Sequence, residues 1–488
     1  MAAYRHVRPA LLCFSVAAIV FLSGCSAEPV PPPVKLTLWH YYNGAQKQMF
    51  DELVAEFNAG AGNDAGVSVE AYSQGTVDEL SGKVIDAIDC KVGAGQVPDI
   101  FAAYADTAYE IYGRGQAVDL KQYLSEDDLA RFVPAYLSEG AFEDGLLMIL
   151  PVAKSTELLL LNKTDWDAFA RETDASDAEL ATWEGIRRLS RAYYEWTDAK
   201  TEAPNDGKAF FGRDALANHM IIGALQLGDE LLKAQAGTVA LTLNKSTIRR
   251  LWDSYYVPYI SGHYAAIGRF RSDDAKTGDI IALVGATSGV LYFPREVTRP
   301  DASTYPIEAA AYPLPVFEGG APCAVQQGAG MAVVKSTEAR ERAAALFLNW
   351  FTQPEQNMRF CLGTGYLPVA AVASTREALD RFLAQSNLDV SPLMKEALHV
   401  GADTVQHSRL YTTKAFRCGS RARAVLADFM QQQADADRIK VRGLVATGLP
   451  YEQALARFDC DEHFDTWYAS FSEALNAAVF DYPLEVRP

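Results

Sequence analysis

The sequence predicts an α/β protein built as two lobes, and three observations carry that prediction. Strand-like and helix-like segments alternate over residues 35–102. The same alternation returns over residues 146–351. Removing an N-terminal leader of residues 1–24 leaves 464 of the 488 residues, too many for one hydrophobic core. Alternating strands and helices favour a parallel sheet flanked by helices.

The leader is the first element. Arg5 and Arg8 form a basic start, and residues 10–22 are an uncharged apolar run. As a helix that run spans roughly 20 Å, short of the ~30 Å hydrocarbon core. It therefore reads as a signal peptide and not as a spanning helix. Leu22-Ser23-Gly24-Cys25 resembles a lipobox, in which small residues admit a peptidase and the Cys25 thiol is alkylated by lipid. The mature protein then starts at Cys25, outside the cytoplasm and tethered to a lipid bilayer. Residues 25–34 form a linker with three consecutive prolines, which favour an extended spacer between bilayer and fold.

Lys35-Leu36-Thr37-Leu38-Trp39 is β-prone and opens the folded part. After Asn43-Gly44, the residues Met49, Phe50, Leu53, Val54 and Phe57 recur at helical spacing. Residues 67–72 read as a second strand, 77–90 as a helix and 99–102 as a third strand. In the second stretch, residues 146–161 are β-rich and broken only at Pro151. Thr182 is placed to cap a helix carrying Ile186, Leu189 and Tyr193. Residues 279–284 and 330–334 read as strands. Ser336 or Thr337 caps a helix with Ala344, Phe347, Leu348 and Phe351 on one face. Beyond Ser374 the chain is predominantly helical, and Trp467, Phe471 and Ala474 mark a last amphipathic segment.

Composition narrows the function. Hydrophobic content of 49% and aromatic content of 11% exclude a disordered chain. The leader removes two Arg and no acid, so 42 basic residues face 62 acidic ones in the mature chain, a net charge of -20. Nucleic acid and an anionic membrane surface are poor partners for that field. Cys90, Cys323, Cys361, Cys418 and Cys460 remain after processing. None is spaced Cys-x-x-Cys, which removes zinc-ribbon and thioredoxin readings. Their odd number leaves at least one thiol without an internal partner, and buried or structural roles are expected. No Gly-x-Ser-x-Gly elbow, His-Glu-x-x-His pair or phosphate-cradling loop occurs. Asp273, Asp274 and Asp279 miss the EF-hand spacing and read as a solvated loop. No catalytic residue, metal or cofactor is expected.

Four blocks, in order, resemble the family 1 extracellular solute-binding proteins of ABC importers, whose members bind maltose and other sugars. The first is Leu36-Thr37-Leu38-Trp39-His40 with its following helix. The second is Val97-Pro98-Asp99-Ile100-Phe101, then Gly115-Gln116-Ala117-Val118-Asp119-Leu120. The third runs from Glu143-Asp144-Gly145-Leu146 to Leu160-Leu161-Asn162-Lys163 and Thr182-Trp183-Glu184. The fourth runs from Tyr312-Pro313-Leu314-Pro315 through Gly328-Ala329-Gly330-Met331 to Gly363-Thr364-Gly365-Tyr366-Leu367-Pro368. The resemblance covers about residues 35–370. It implies a two-lobed periplasmic-binding-protein-like fold of the class II type, with hinge strands and a ligand cleft between the lobes. Lobe 1 would hold residues 35–150 and 313–362. Lobe 2 would hold 151–312 and 363–488, with a helical C-terminal extension longer than is usual. Crossings are expected at 150–155, 312–315 and 361–366, where glycines and prolines suit a hinge.

A sugar presents hydroxyls at its rim and C–H faces above and below, so its site needs aromatic surfaces and planar hydrogen-bonding groups. In open α/β sheets ligands lie at the carboxyl ends of the strands. That rule and the family pattern select Trp39, Tyr42 and Asn43 after the first strand, with Tyr42 and Asn43 exposed to ligand. Tyr104 and Asp106 follow the third strand, Asp106 alternatively serving as a helix cap. Ser155, beside Lys154 and Thr156, follows the first crossing. Ser288 and Tyr292 stand where the family often has Gly-Pro-Trp. Gln327 approaches the 330–334 strand, alternatively in a solvent-facing loop.

The resemblance thus implies a monomeric, membrane-anchored lipoprotein that captures a carbohydrate between its lobes. It would deliver the sugar to the permease subunits of an ABC importer, without chemistry. A polyol or glycerophosphate-type solute is the alternative ligand, although Lys154 is the one obvious cation for a phosphate. An exported glycan-acting enzyme is the other class, and it would need paired carboxylates roughly 5–10 Å apart.

Overall fold

A computed structural model describes residues 33–142, 145–235, 238–386, 388–412, 414–416 and 418–480. The leader, Cys25 and the linker up to residue 32 lie outside the described residues. No helix among the described residues is long and apolar enough to cross a membrane.

Two four-stranded sheets organise the chain. In the first, Val34–His40 is central and runs parallel to Val67–Ser73 on one side and Ile100–Ala103 on the other. Gly330–Val333 closes the far edge, antiparallel to Ile100–Ala103. Leu36 and Leu38 point into the core by the two-residue period of a strand. Helix Gly44–Ala59 covers this sheet with Phe50, Leu53, Val54 and Phe57, the i, i+3, i+4, i+7 stripe read from the sequence. Helix Val77–Ile88 starts at a capping box in which Thr76 and Glu79 bond each other's backbone N–H groups.

The second sheet has the order Ala309–Pro313, Glu157–Asn162, Ala282–Ala286, Phe211–Arg213. Every residue of Glu157–Asn162 is buried, because both faces are covered. Unlike the first sheet it is mainly antiparallel, and only Phe211–Arg213 runs parallel to its neighbour. Thr182 caps helix Trp183–Asp198, which buries Ile186, Leu189 and Tyr193. Thr337 caps Glu338–Phe351.

Three crossings join the lobes. The first is the segment 150–155, bridged at Leu150 to Met331, at Lys154 to Leu367 and at Ser155 to Gln327. The second lies later than expected. Ala309–Pro313 is an edge strand of the second sheet, where a terminal proline loses no ladder bond, and Phe317, Cys323 and Val325 sit in that lobe's core. The chain therefore joins the first sheet only at Gly330, and residues 313–325 pack with lobe 2. Cys361 belongs to helix Pro354–Thr364 in the first lobe's core, so the third crossing shortens to residues 365–367. Gly328 and Gly365 carry φ of +98° and +74° in these crossings. A Cβ would lie 2.8 Å from Ala153 O at Gly328 and 2.8 Å from Thr287 O at Gly365, so both positions need glycine.

The C-terminal extension is a structural part of the second lobe. Helix Pro392–His407 packs beside Ala309–Pro313, and helices Gly419–Ala446 and Asp461–Phe480 pack on Leu216–Gln226 and Lys245–Ile260. Trp467 lies between Trp252 and Phe471, with ring centroids 4.5 and 4.9 Å away. Two expectations change here. Residues 273–279 are not a solvated loop: Asp274 is buried in helix Arg271–Thr277, pairs with Arg271 and accepts from the N–H groups of Ile267 and Gly268. Cys90 is exposed, whereas Cys323 and Cys361 are buried; all five thiols of the described residues are free.

Candidate functional site

A cleft of about 370 Å³ opens between the lobes. On the first-lobe side, parallel strands bring their carboxyl ends to one edge, and the segments that follow line the cleft. Asp78 and Ser81 come from the helix after Val67–Ser73, and Tyr104, Asp106 and Thr107 follow Ile100–Ala103. Glu139 comes from the short helix Pro134–Gly140. The opposite wall is mixed. Ile221, Leu232 and Phe416 give it an apolar surface, and Arg423 and Lys414 give it charge. Gln326 and Gln327 lie between the walls, on the second crossing.

Hydrogen bonds fix most of these groups. Asn218, buried in helix Leu216–Gln226, accepts from Arg423 at 2.6 Å through Oδ1. Its Nδ2 donates to Glu157 Oε1 at 2.8 Å and to Gln327 Oε1 at 3.3 Å. Gln327 therefore has its amide oxygen held, while its amide N–H groups donate to no group among the described residues. Glu157 also pairs with Arg213 at 2.5 Å in the second lobe's core. Glu139 accepts from Lys154 at 2.6 Å and from Gln326 at 3.0 Å. Burial, and then the charge of Glu139, push the Tyr104 hydroxyl up to about 12, so it stays protonated and can donate. Desolvation lowers the Lys414 ammonium, opposed by the nearby Glu139 charge. The site thus offers one apolar wall, carboxylate acceptors at Asp78, Asp106 and Glu139, and donors at Tyr104, Gln327, Lys414 and Arg423. That set suits a polyhydroxylated solute with an apolar face.

Of the residues selected from sequence, the structure brings Tyr104, Asp106 and Gln327 to the cleft. Asp106 is not the helix cap: Tyr104 holds that position, and Asp106 Oδ1 accepts from the adjacent Thr107 N–H at 3.0 Å. Gln326, next to Gln327, is buried at 3% exposure, so this stretch is not a solvent-facing loop. The other candidates lie elsewhere. Tyr42, expected to be exposed to ligand, is 1% exposed and packs among His40, Phe50 and Phe360 at centroid distances of 5.2, 5.1 and 5.2 Å. Its ring fills the first lobe's core because helix Gly44–Ala59 folds back over it. Trp39 is buried against Gly95. Asn43 is exposed at the start of helix Gly44–Ala59, outside the cleft lining. Ser155 is buried, its backbone paired with Gln327. Ser288 is half-buried and bonds the Tyr366 hydroxyl, and Tyr292 is 57% exposed beside it. Asp78, Ser81 and Thr107 were missed although the strand-end rule reaches them. Glu139, Lys414, Phe416 and Arg423 carry no local signal.

No group of metal-ligating side chains occurs among the described residues. The family model of bacterial extracellular solute-binding proteins matches residues 52–381. No curated protein sequence matches the chain. Solved structures with the same fold include the cyclic α-maltosyl-1,6-maltose binding protein of Arthrobacter globiformis. It has a TM-score of 0.67 and 21% identity, with 92% of this chain and 100% of that one covered. The GacH receptor of Streptomyces glaucescens, solved unliganded and with acarbose, gives 0.64, 14%, 92% and 100%. UgpB from Mycobacterium tuberculosis, solved with glycerophosphocholine, gives 0.62, 19%, 91% and 98%.

Proposed function

The chain belongs to the bacterial extracellular solute-binding protein family, and we propose that it captures a carbohydrate between its lobes and hands it to the permease of an ABC importer. The observation that carries this reading is the cleft, with an apolar wall facing a row of fixed acceptors and donors. Residues 33–150 with 328–364 act as one body, and 151–327 with 365–480 as the other. Ligand bridges them and shifts an open–closed equilibrium by its greater affinity for the closed form. A micromolar ligand supplies about -8 kcal/mol, enough to bias two states separated by a few. The protein acts as a monomer and by binding alone. Both deeply buried carboxylates near the cleft, Glu139 and Glu157, are held in ion pairs and do not form a free acid–base pair.

A phosphate ester is the second reading, and a specific observation favours it. Lys154 is spent on Glu139, but Lys414 and Arg423 put two further cations into the cleft. A thermal-shift panel separates the readings. Maltose, maltotriose, acarbose, polyols and glycerophosphocholine are tested on the mature chain carrying Cys25→Ala. A shift with a neutral sugar supports the first reading, and a shift with glycerophosphocholine alone supports the second. Release of product from glycosides would overturn both.

A lipid on Cys25 holds the protein at the membrane. Cys25→Ala is expected to move it from the membrane fraction to the soluble fraction. Unchanged fractionation would remove the anchor from this reading.

A further inference from the structure

Glu139 lines the cleft yet is 5% exposed. Its Oε2 is fully engaged, accepting from Lys154 Nζ and Gln326 Nε2. Its Oε1 accepts from no group among the described residues, and the residue lines the cleft. A carboxylate has about four lone-pair sites, and an oxygen left open in a nearly buried wall is a ready acceptor for a ligand donor.

Lys154 is the meeting point of the hinge. It lies in the first crossing and is 1% exposed. Its backbone exchanges hydrogen bonds with Leu367 of the third crossing, at 3.1 Å from Lys154 N and 2.5 Å to Lys154 O. Its Nζ donates to Gly328 O of the second crossing at 2.7 Å. Gly328 packs closely on the first crossing, since a Cβ there would lie 2.8 Å from Ala153 O. One lysine, through its ammonium and its backbone, therefore connects a carboxylate of the cleft wall to all three crossings.

We infer that Glu139 reads a hydrogen-bond donor of the solute and passes its engagement to the hinge through Lys154. A hydroxyl or amine donating to Oε1 fixes the carboxylate's orientation. That orientation sets where Oε2 holds Lys154, and hence how the crossings lie against one another. The cleft end at Glu139 takes a donor-bearing, neutral or cationic group. An anionic group of the same solute would be repelled there and would sit toward Lys414 and Arg423. The inference rests on the cleft being the ligand site.

Its test has an arm that needs no ligand. Spin labels are placed at Tyr72→Cys and Tyr292→Cys, exposed positions of the first and second lobes. The parent is the mature chain with Cys25→Ala, Cys90→Ser, Cys418→Ser and Cys460→Ser. Pulsed dipolar spectroscopy gives the inter-lobe distance distribution. In the sugar-free protein, Lys154→Met is expected to widen that distribution at least twofold. Glu139→Gln is expected to weaken binding of whichever panel compound stabilises the parent by tenfold or more, and to reduce the distance change on binding. A folded Lys154→Met with the parent's distribution overturns the coupling. Glu139→Gln binding within twofold of the parent overturns the ligand contact. If Lys154→Met does not fold, the double variant Glu139→Gln, Lys154→Met leaves no unpaired charge, and a parent-like distribution in it overturns the coupling equally. If no panel compound binds the parent, the carbohydrate and phosphate-ester readings fail, while the sugar-free arm still decides the hinge coupling.

Discussion

The two walls of the cleft are built differently. The first-lobe wall comes from one run of chain between Asp78 and Glu139, laid along the ends of parallel strands. The second-lobe wall is assembled from distant pieces, with Arg423 held by Asn218 across 205 residues of sequence. Local chain order makes the first wall, and tertiary docking of the C-terminal helices makes the second. The polarity differs as well, since acceptors dominate the first wall and cations with apolar groups dominate the second. The second lobe's site is therefore only as firm as the packing of its extension around Trp252, Trp467 and Phe471.

The largest test of this difference is acid. Behind the second wall, His219 is buried on Trp183, and its pKa is lowered to about 3 by desolvation first and then by the Arg213 charge. Behind the first wall, His40 is lowered to about 4, again by desolvation, with Asp51 opposing and Lys47 assisting. His40 Nδ1 accepts from the Tyr42 N–H, which requires the neutral ring. Both folded pKa values lie below the unfolded 6.5, so the unfolded chain binds protons first as pH falls. The stability these rings contribute is complete above pH 6.5 and is lost as pH falls through the folded values. At 1.36 kcal/mol per pH unit, the loss is about 5 kcal/mol for His219 and about 3 kcal/mol for His40. The two rings act alike down to about pH 4 and separate below it, so urea midpoints measured from about pH 7 to 3 should flatten more in His219→Leu than in His40→Leu. Equal slopes in the parent and both variants would show that neither ring controls acid sensitivity.

A smaller effect separates support from contact. Tyr42 stands behind the first wall and touches no ligand space, so Tyr42→Ala should cost about 3–5 kcal/mol of stability by leaving a core cavity. Denaturant titration measures it. A folded, undestabilised variant would return Tyr42 to the surface, where the strand-end rule had put it.

That rule shows how much was readable. It located Tyr104 and Asp106 because side chains after a parallel strand's end face the crevice whatever the rest of the chain does. It failed at Tyr42 because the next helix turns back over the strand, a packing choice that residue type does not announce. Helix caps at Thr182 and Thr337 were readable because they depend on four neighbouring residues. The second crossing was misplaced because a proline-ended segment suits a sheet edge as well as a hinge. Phe416 and Arg423 were out of reach, because their role is created only when helix Gly419–Ala446 docks on Leu216–Gln226.

The smallest expected effects compare the walls directly. Arg423→Ala removes a cation from the second wall and frees Asn218, while Asp106→Ala removes an acceptor from the first. For a neutral sugar such as maltotriose, each lost hydrogen bond should weaken binding by about 0.5–1.5 kcal/mol. For glycerophosphocholine, a bond from a guanidinium to phosphate is worth about 1.5–3 kcal/mol, so Arg423→Ala should weaken binding further. Asp106→Ala should then leave affinity unchanged or raise it, since a nearby carboxylate repels the phosphate. Titration calorimetry on both variants with both compounds gives four numbers. Loss confined to Asp106→Ala would place the working contacts on the first wall alone. Parent affinity in a folded Arg423→Ala with either compound would reduce the second wall to a scaffold for the first.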